Sequence, residues 1–309
     1  MKTRSTSYFL IHSLMAFILS TSVLLITPSV MASSAVQTLW NGIQLNANLV
    51  IRDGGKISDD VILITHGTLG HAGMETIQAF QTAFQDRGRN SLAITLSLGV
   101  NNRTGMYDCS TKQTHLHTDA LDEIQVWINW LKTKGVKKIT LMGHSRGGNQ
   151  TAWFASTVLD PIVDKVVLLA PMVWNKNAAM AGYKKQYGMA LAEPLKRAQA
   201  LVKQDKAGQF MEKTGLLYCP NATVTAATFL SYYQPNPKFD TPSLLTSIKR
   251  PVLVIAGDKD NVVKGLINAV RPLSNGKQIS LKVIEGSNHF FLDFYAEDAA
   301  DVIDEFLGS

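Results

Sequence analysis

Six short runs of the chain are apolar almost without interruption: residues 61–65, 92–96, 138–142, 165–169, 251–256 and 281–284. Short runs of Val, Ile and Leu without polar alternation are the mark of strands covered on both faces, as in a parallel sheet. Between them the apolar positions recur at spacings of three and four. Ile77, Phe80 and Phe84 line one such face ahead of Gly88, and Leu121, Ile124, Ile128 and Leu131 line another ahead of Gly135. Tyr295, Val302, Ile303 and Phe306 repeat the pattern near the C-terminus. These are amphipathic helices, and a glycine just past the last apolar position supplies the left-handed residue on which helices commonly stop. Strand–helix alternation of this kind predicts an α/β fold with a mostly parallel, doubly wound sheet. Ahead of it, residues 38–51 hold short β-type stretches that read as a hairpin.

The rhythm fails once. From Pro171 to Arg250, about eighty residues, no run reads as a buried strand. Residues 180–215 read as helical, with Pro194 starting or breaking a helix, and residues 234–242 as a proline-containing return loop. An interval of that length is too long for a loop in a compact domain and predicts a helical cap inserted into the fold. The chain then divides into a leader at 1–32, a first core part at 33–171, the cap at 172–247 and a second core part at 248–309.

The leader differs in kind from the rest. Lys2 and Arg4 precede an apolar stretch over 9–26, and the small residues around Val30-Met31-Ala32 follow it. This is the build of a secretory signal peptide cut after Ala32, with Ala35 as the second choice. A retained membrane anchor is the alternative, but His12, Ser13, Ser20, Thr21 and Ser22 interrupt the stretch, which weakens it as a permanent span. The expectation is an exported protein, periplasmic or extracellular, with no stable membrane span after cleavage.

Composition narrows the class further. At 46 % hydrophobic residues the chain can fill a large core, which excludes a disordered protein. A net charge of +6 is modest, and neither zinc-finger spacing nor an aromatic–basic strip is present, so no nucleic-acid partner is implied. Lys176, Lys184, Lys185, Lys196, Arg197, Lys203, Lys206 and Lys213 make residues 175–215 locally basic. A solvated helix face explains them better than an acidic membrane surface. Cys109 and Cys219 are the only cysteines. In an exported chain such a pair forms a disulfide more often than two buried free thiols. Cys109 lies in the excursion 99–116 that follows the run at 92–96, and Cys219 lies late in the insertion, so the bond would tie cap to core. No metal site is indicated.

Candidate chemistry centres on Gly143-His144-Ser145-Arg146-Gly147, a G-x-S-x-G motif after a strand and before a helical segment at 149–159. A serine hydroxyl is a weak nucleophile, so it must project from a sharp turn toward a base. The flanking glycines let the backbone turn and let strand and helix approach each other. Of seven histidines only His289 follows the last strand, which makes it the candidate base. Asp258 and Asp260, in Gly257-Asp258-Lys259-Asp260, are the two candidates for the carboxylate that orients it. An oxyanion hole needs two backbone N–H donors. Arg146 should supply one, and the loop after residues 61–65, at Thr68 in His66-Gly67-Thr68, the other.

The order Ser145, Asp, His289 and the setting of the motif resemble the α/β-hydrolase superfamily, in its esterase, lipase and serine-aminopeptidase-like branch, over the chain from about Thr38. The resemblance implies that Asp260, last in the Gly-x-x-Asp turn, completes the triad. It also implies a helical cap between the sixth and seventh core strands, where the insertion lies. Arg146 and Thr68 depart from the residues most often found at their positions. Both keep a backbone donor, so the departures bear on the shape of the acyl pocket.

These residues lead to an expected secreted serine hydrolase that cleaves a carboxylic ester through an acyl-enzyme, without cofactor or metal. Its partner is a small-molecule ester, lipid-like ones included. Peptidase, thioesterase and acyltransferase chemistry use the same triad, and a non-catalytic lipid- or partner-binding member of the fold is the rival of another class. Oligomeric state is not legible. His115 and His117 beside Asp119 are poorly spaced for a metal pair and are expected at the surface or capping a helix from Thr118. Phe229, Tyr232 and Tyr233 are expected to pack the cap. Asn102-Arg103-Thr104 and Asn221-Ala222-Thr223 are glycosylation sequons, meaningful only in a eukaryotic secretory pathway.

Overall fold

The apolar runs form six consecutive strands of an eight-stranded sheet, the last of them at its edge, in a computed structural model that describes residues 1–3 and 33–308. The expected signal peptide and its cleavage lie outside the described residues. In chain order the elements are β1 (Ser33–Trp40), β2 (Ile43–Val50), β3 (Val61–Thr65), α1 (Glu75–Asp86), β4 (Asn90–Thr95), α2 (Asp119–Thr133), β5 (Ile139–His144), α3 (Arg146–Thr157) and β6 (Val163–Leu169). The insertion follows, with α4 (Lys176–Tyr187), α5 (Ala192–Lys203), β7 (Phe210–Leu216), β8 (Cys219–Thr225), α6 (Ala226–Tyr233) and α7 (Thr241–Leu244). The chain returns through β9 (Val252–Gly257), α8 (Leu266–Val270), β10 (Ile279–Ile284) and α9 (Phe294–Leu307).

The sheet order is β1-β2-β4-β3-β5-β6-β9-β10. β1 and β2 form the expected hairpin, starting earlier than residue 38, and β2 runs antiparallel to β4. All pairings from β4 to β10 are parallel. Alternation along the strands explains the two covered faces. Ile62 and Ile64 of β3 join Ile77, Phe80 and Phe84 of α1 and Ala299, Ala300 and Ile303 of α9. Val61 and Leu63 point the other way, onto Ile124, Trp127, Ile128 and Leu131 of α2. Each large side chain so buried contributes about 1.5–3 kcal/mol, which is why such unbroken apolar runs become central strands. Parallel pairing also brings the C-terminal ends of β3, β5, β9 and β10 to one edge, where open α/β sheets bind their ligands.

The insertion corrects the expectation of a wholly helical cap. The helical reading of 180–215 holds for α4 and α5, with Pro194 in the first turn of α5, but ends at Lys203. β7 and β8 then form a separate antiparallel hairpin. Exposed pairs interrupt both strands and the register shifts twice, so no continuous apolar run marks it. The turn places Leu217 at φ 56°, without the glycine or asparagine that usually signals such a turn. The basic residues named above are solvent-exposed, as expected of a solvated face.

A disulfide joins Cys109 to Cys219, with Cα atoms 5.3 Å apart. Beside it the Gln113 N–H donates to the Thr223 carbonyl at 2.8 Å, and the Thr225 N–H to the Gln113 carbonyl at 3.0 Å. The excursion after β4 is thereby stitched to β8 by one covalent and two backbone links. No helix among the described residues is long and apolar enough to cross a membrane.

Candidate active site

β5 ends at His144 and α3 begins at Arg146, so the single residue Ser145 makes the whole turn. It does so at φ 57° and ψ −120°, a conformation that costs about 1–3 kcal/mol for a residue with a side chain. Its backbone holds the turn from both sides. The Ser145 N–H donates to the Leu169 carbonyl at 3.0 Å, and the Ser145 carbonyl accepts from Met172 at 3.0 Å and Asn149 at 3.2 Å. The motif glycines are there for space: a Cβ on Gly147 would collide with the carbonyl oxygens of Thr65 and His66, and one on Gly143 with Thr151 Oγ1 and the Gly147 carbonyl oxygen. The helix therefore starts directly after the serine rather than at residue 149.

His289, five residues beyond the end of β10, donates from Nδ1 to Asp260 Oδ2 at 2.8 Å. Its Nε2 accepts from the Ser145 hydroxyl at 2.9 Å. Asp260 Oδ1 takes the N–H groups of Val262 at 2.7 Å and Val263 at 2.9 Å. Burial raises the Asp260 carboxyl, but the hydrogen bonds from His289 and these amides outweigh it and hold the group below its ordinary range. Asp258 has different work. Its Oδ1 accepts the Gly286 N–H at 2.7 Å and its other oxygen faces Lys259. It shapes the turn between the carboxylate and histidine loops, which the Lys259 N–H and Ser287 carbonyl also join.

Thr68 and Arg146, the expected oxyanion donors, stand beside each other: Arg146 Nε donates to Thr68 Oγ1 at 3.1 Å. The Thr68 loop comes close to Ser145, since a Cβ on Gly67 would lie 3.2 Å from Ser145 Cβ. Buried groups behind the loop fix it. His66 donates from Nδ1 to the Gly67 carbonyl at 2.8 Å, while its Nε2 accepts from the Leu96 N–H at 3.1 Å and Arg103 Nη2 at 3.2 Å. Burial, with the Arg103 charge, pushes the His66 imidazole down to about 3, so it stays neutral as that pattern requires. Arg103 also donates to the carbonyls of Leu96 and Gly105. Glu123 accepts from Ser97, and its burial raises it to about 7.

Sequence reasoning missed this supporting layer, His144 included. The imidazole of His144 donates from Nε2 to the His289 carbonyl at 2.9 Å and so holds the backbone of the candidate base. Burial first, then the nearby His289, lowers His144 to about 4. Its place in the motif was the only signal, and that position tolerates many residues.

His115 and His117 are neither at the surface nor capping; both are buried. α3 and the insertion close over them: His115 Nδ1 meets the Tyr232 hydroxyl at 2.9 Å, and His117 packs among Trp153, Tyr232 and Phe239. No side chain caps α2 at Thr118; Asp119, in its first turn, accepts the Leu116 N–H at 2.7 Å. No group of three His, Cys, Asp or Glu residues among the described ones is placed to hold a metal ion. Phe229 packs inside the cap as expected, whereas Tyr232 and Tyr233 both pack there and line a cavity of about 230 Å³. Thr68 and Arg146 form its inner end, and Met172, Trp174, Tyr183 and Phe239 contribute to its walls.

Residues 60–194 match a family model described as the alpha/beta hydrolase fold. No curated protein sequence matches the chain. Among solved structures, Est1E from Butyrivibrio proteoclasticus is similar with a TM-score of 0.60 at 19 % identity, over 88 % of this chain and 97 % of that one. An esterase of Pyrococcus furiosus, Pf2001, gives a TM-score of 0.60 at 18 % identity, over 90 % of this chain and 91 % of its own. The esterase domain of a Rhodothermus marinus protein gives 0.56 at 13 % identity, over 89 % and 98 %. At these identities the likeness is one of architecture.

Proposed function

From a chain with the α/β-hydrolase fold and that family's signature over residues 60–194, we propose an exported serine hydrolase that cleaves carboxylic esters. The observation that carries this is the unbroken hydrogen-bond line from the Ser145 hydroxyl through His289 to Asp260, with lengths of 2.9 and 2.8 Å. His289 Nε2 takes the serine proton as Ser145 Oγ attacks the ester carbonyl, and Asp260 supports the imidazolium that forms. The same nitrogen then protonates the leaving alcohol. Water, deprotonated in turn by His289, cleaves the acyl-serine and releases the acid. The backbone N–H groups of Thr68 and Arg146 serve the oxyanion, where one such donor is worth about 3–4 kcal/mol. Esterases among the similar structures support the choice of substrate bond. Export is supported by the paired cysteines and by the leader read from the sequence.

Turnover of p-nitrophenyl esters of increasing acyl length by the purified protein tests the reading. Short acyl groups that suit a cavity of about 230 Å³ should be preferred. Absence of turnover across the whole series, with amide substrates cleaved instead, would replace the esterase by a peptidase.

A further inference from the structure

We infer that Arg146 anchors a second, anionic group on the acyl half of the substrate, so that the preferred ester is the monoester of a small dicarboxylic acid. The inference rests on the serine-esterase function proposed above. Arg146 is the first residue of α3, a helix with no acidic residue in its first turn. A cation at that end faces the positive pole of the helix, which disfavours it. Among the described residues no carboxylate forms an ion pair with it, and its one hydrogen bond runs from Nε to Thr68. Among the described residues Nη1 and Nη2 have no protein acceptor. The guanidinium instead lies 5.6 Å over the Tyr232 ring, in the wall of the cavity. That cavity is lined by aromatic and apolar groups and by Gln186, and by no aspartate or glutamate. A planar fork of donors with no partner, fixed on an aromatic face, is the arrangement that receives a carboxylate in two-pronged fashion.

The chemistry says which half of the ester enters. The leaving alcohol takes its proton from His289, so it must depart on the histidine side. The cavity is lined by the two oxyanion residues and not by His289, which leaves it to the acyl chain. Its volume of about 230 Å³ lies below the roughly 300–1,000 Å³ of sites for drug-sized ligands, which limits the acid to a small one. Hydrolysis of such a monoester consumes one water and releases a dicarboxylate and an alcohol.

Two probes of equal carbon count separate charge from length: mono-p-nitrophenyl adipate and p-nitrophenyl hexanoate. In the wild-type protein kcat/KM should favour the anionic ester. Arg146→Met should lower the anionic-to-neutral ratio by about 10–100-fold, the scale of a charged hydrogen-bonded pair, and Arg146→Lys should restore part of it. Taking the ratio removes any general effect of losing the Thr68 contact, and fluorophosphonate labelling of each variant shows that the site is folded. A wild-type ratio at or below one, or a ratio unchanged in Arg146→Met, overturns the anchor while turnover of the hexanoate leaves the esterase standing. If neither ester is turned over and no label is taken up, the esterase falls and the anchor with it.

Discussion

At the edge of the sheet the reactive groups are held by backbone. Ser145 is fixed by the chain at Leu169, Met172 and Asn149, Asp260 by the amides of Val262 and Val263, and the His289 loop by His144. The insertion above them is held by side chains. Tyr183, Leu191, Met211, Val224, Phe229 and Tyr232 pack into a cluster that also takes in Leu69 and Tyr107, and the Cys109–Cys219 bond fastens it to the excursion after β4. The first region can hardly vary without losing the reaction, because its atoms must meet within hydrogen-bond range. The second can change its walls freely while Ser145, His289 and Asp260 stay in place, so under the proposed function bond-breaking belongs to the sheet edge and selectivity to the insertion and Arg146.

That division is sharpened first by the nucleophile. Ser145→Ala should lower kcat by about 10⁶, as removal of a triad serine does when the members act as a unit, with the melting temperature little changed. Next come the two acids. Asp260→Asn leaves His289 in the wrong tautomer and should lower kcat by about 10⁴. Asp258→Asn only loosens the turn at Gly286 and should cost less than about tenfold, as expected when the catalytic interaction itself is kept. Steady-state kinetics on both variants would break the comparison if the ranking came out reversed.

The disulfide probes the other region. Closing a loop of 110 residues restricts the unfolded chain by up to about 4–5 kcal/mol. Cys109→Ser with Cys219→Ser should lower the urea midpoint accordingly. Discrimination between long and short acyl chains should relax in the same variant before turnover of the best ester is lost. Unchanged discrimination would mean that the cap's position does not depend on its covalent tie.

The smallest effect concerns pH. Burial lowers His66 and His115 to about 3, His144 to about 4, and His117 well below its usual value. Each binds its proton near 6.5 when unfolded but stays neutral when folded. Their stability contribution is therefore complete above about pH 6.5 and is lost as pH falls. Glu123, raised by burial to about 7, works in the opposite sense and weakens the fold as pH rises from about 4.5 to 7. His117→Leu should flatten the fall in stability between pH 6.5 and 4.5 by about 1.4 kcal/mol per pH unit. Thermal melts across that range check it.

The same contrast explains what could be read from sequence. Strands at the sheet centre are buried on both faces, so β3, β5 and β9 show as unbroken apolar runs. The nucleophile turn shows because only glycine fits against the Thr65 and His66 carbonyls. Chain order then picked out His289, and the Gly-x-x-Asp pattern favoured Asp260. In the insertion these signals are absent. β7 and β8 are interrupted by exposed pairs, carry bulges and turn at Leu217, so their residues look like the helical segment before them. His115 and His117 are polar residues covered by distant chain, from Tyr232 and Phe239, and burial of that kind leaves no local trace. His66, Arg103 and Glu123 escaped for the same reason, since their partners come together only in three dimensions.

The triad itself is tested most directly by mapping the adduct of a fluorophosphonate on the wild-type protein. One adduct per chain, located on Ser145 and absent from Ser145→Ala, with labelling slowed in His289→Ala, is the expected result. An adduct on any other residue, or ester turnover by Ser145→Ala at the wild-type rate, would contradict the assignment of Ser145 and His289.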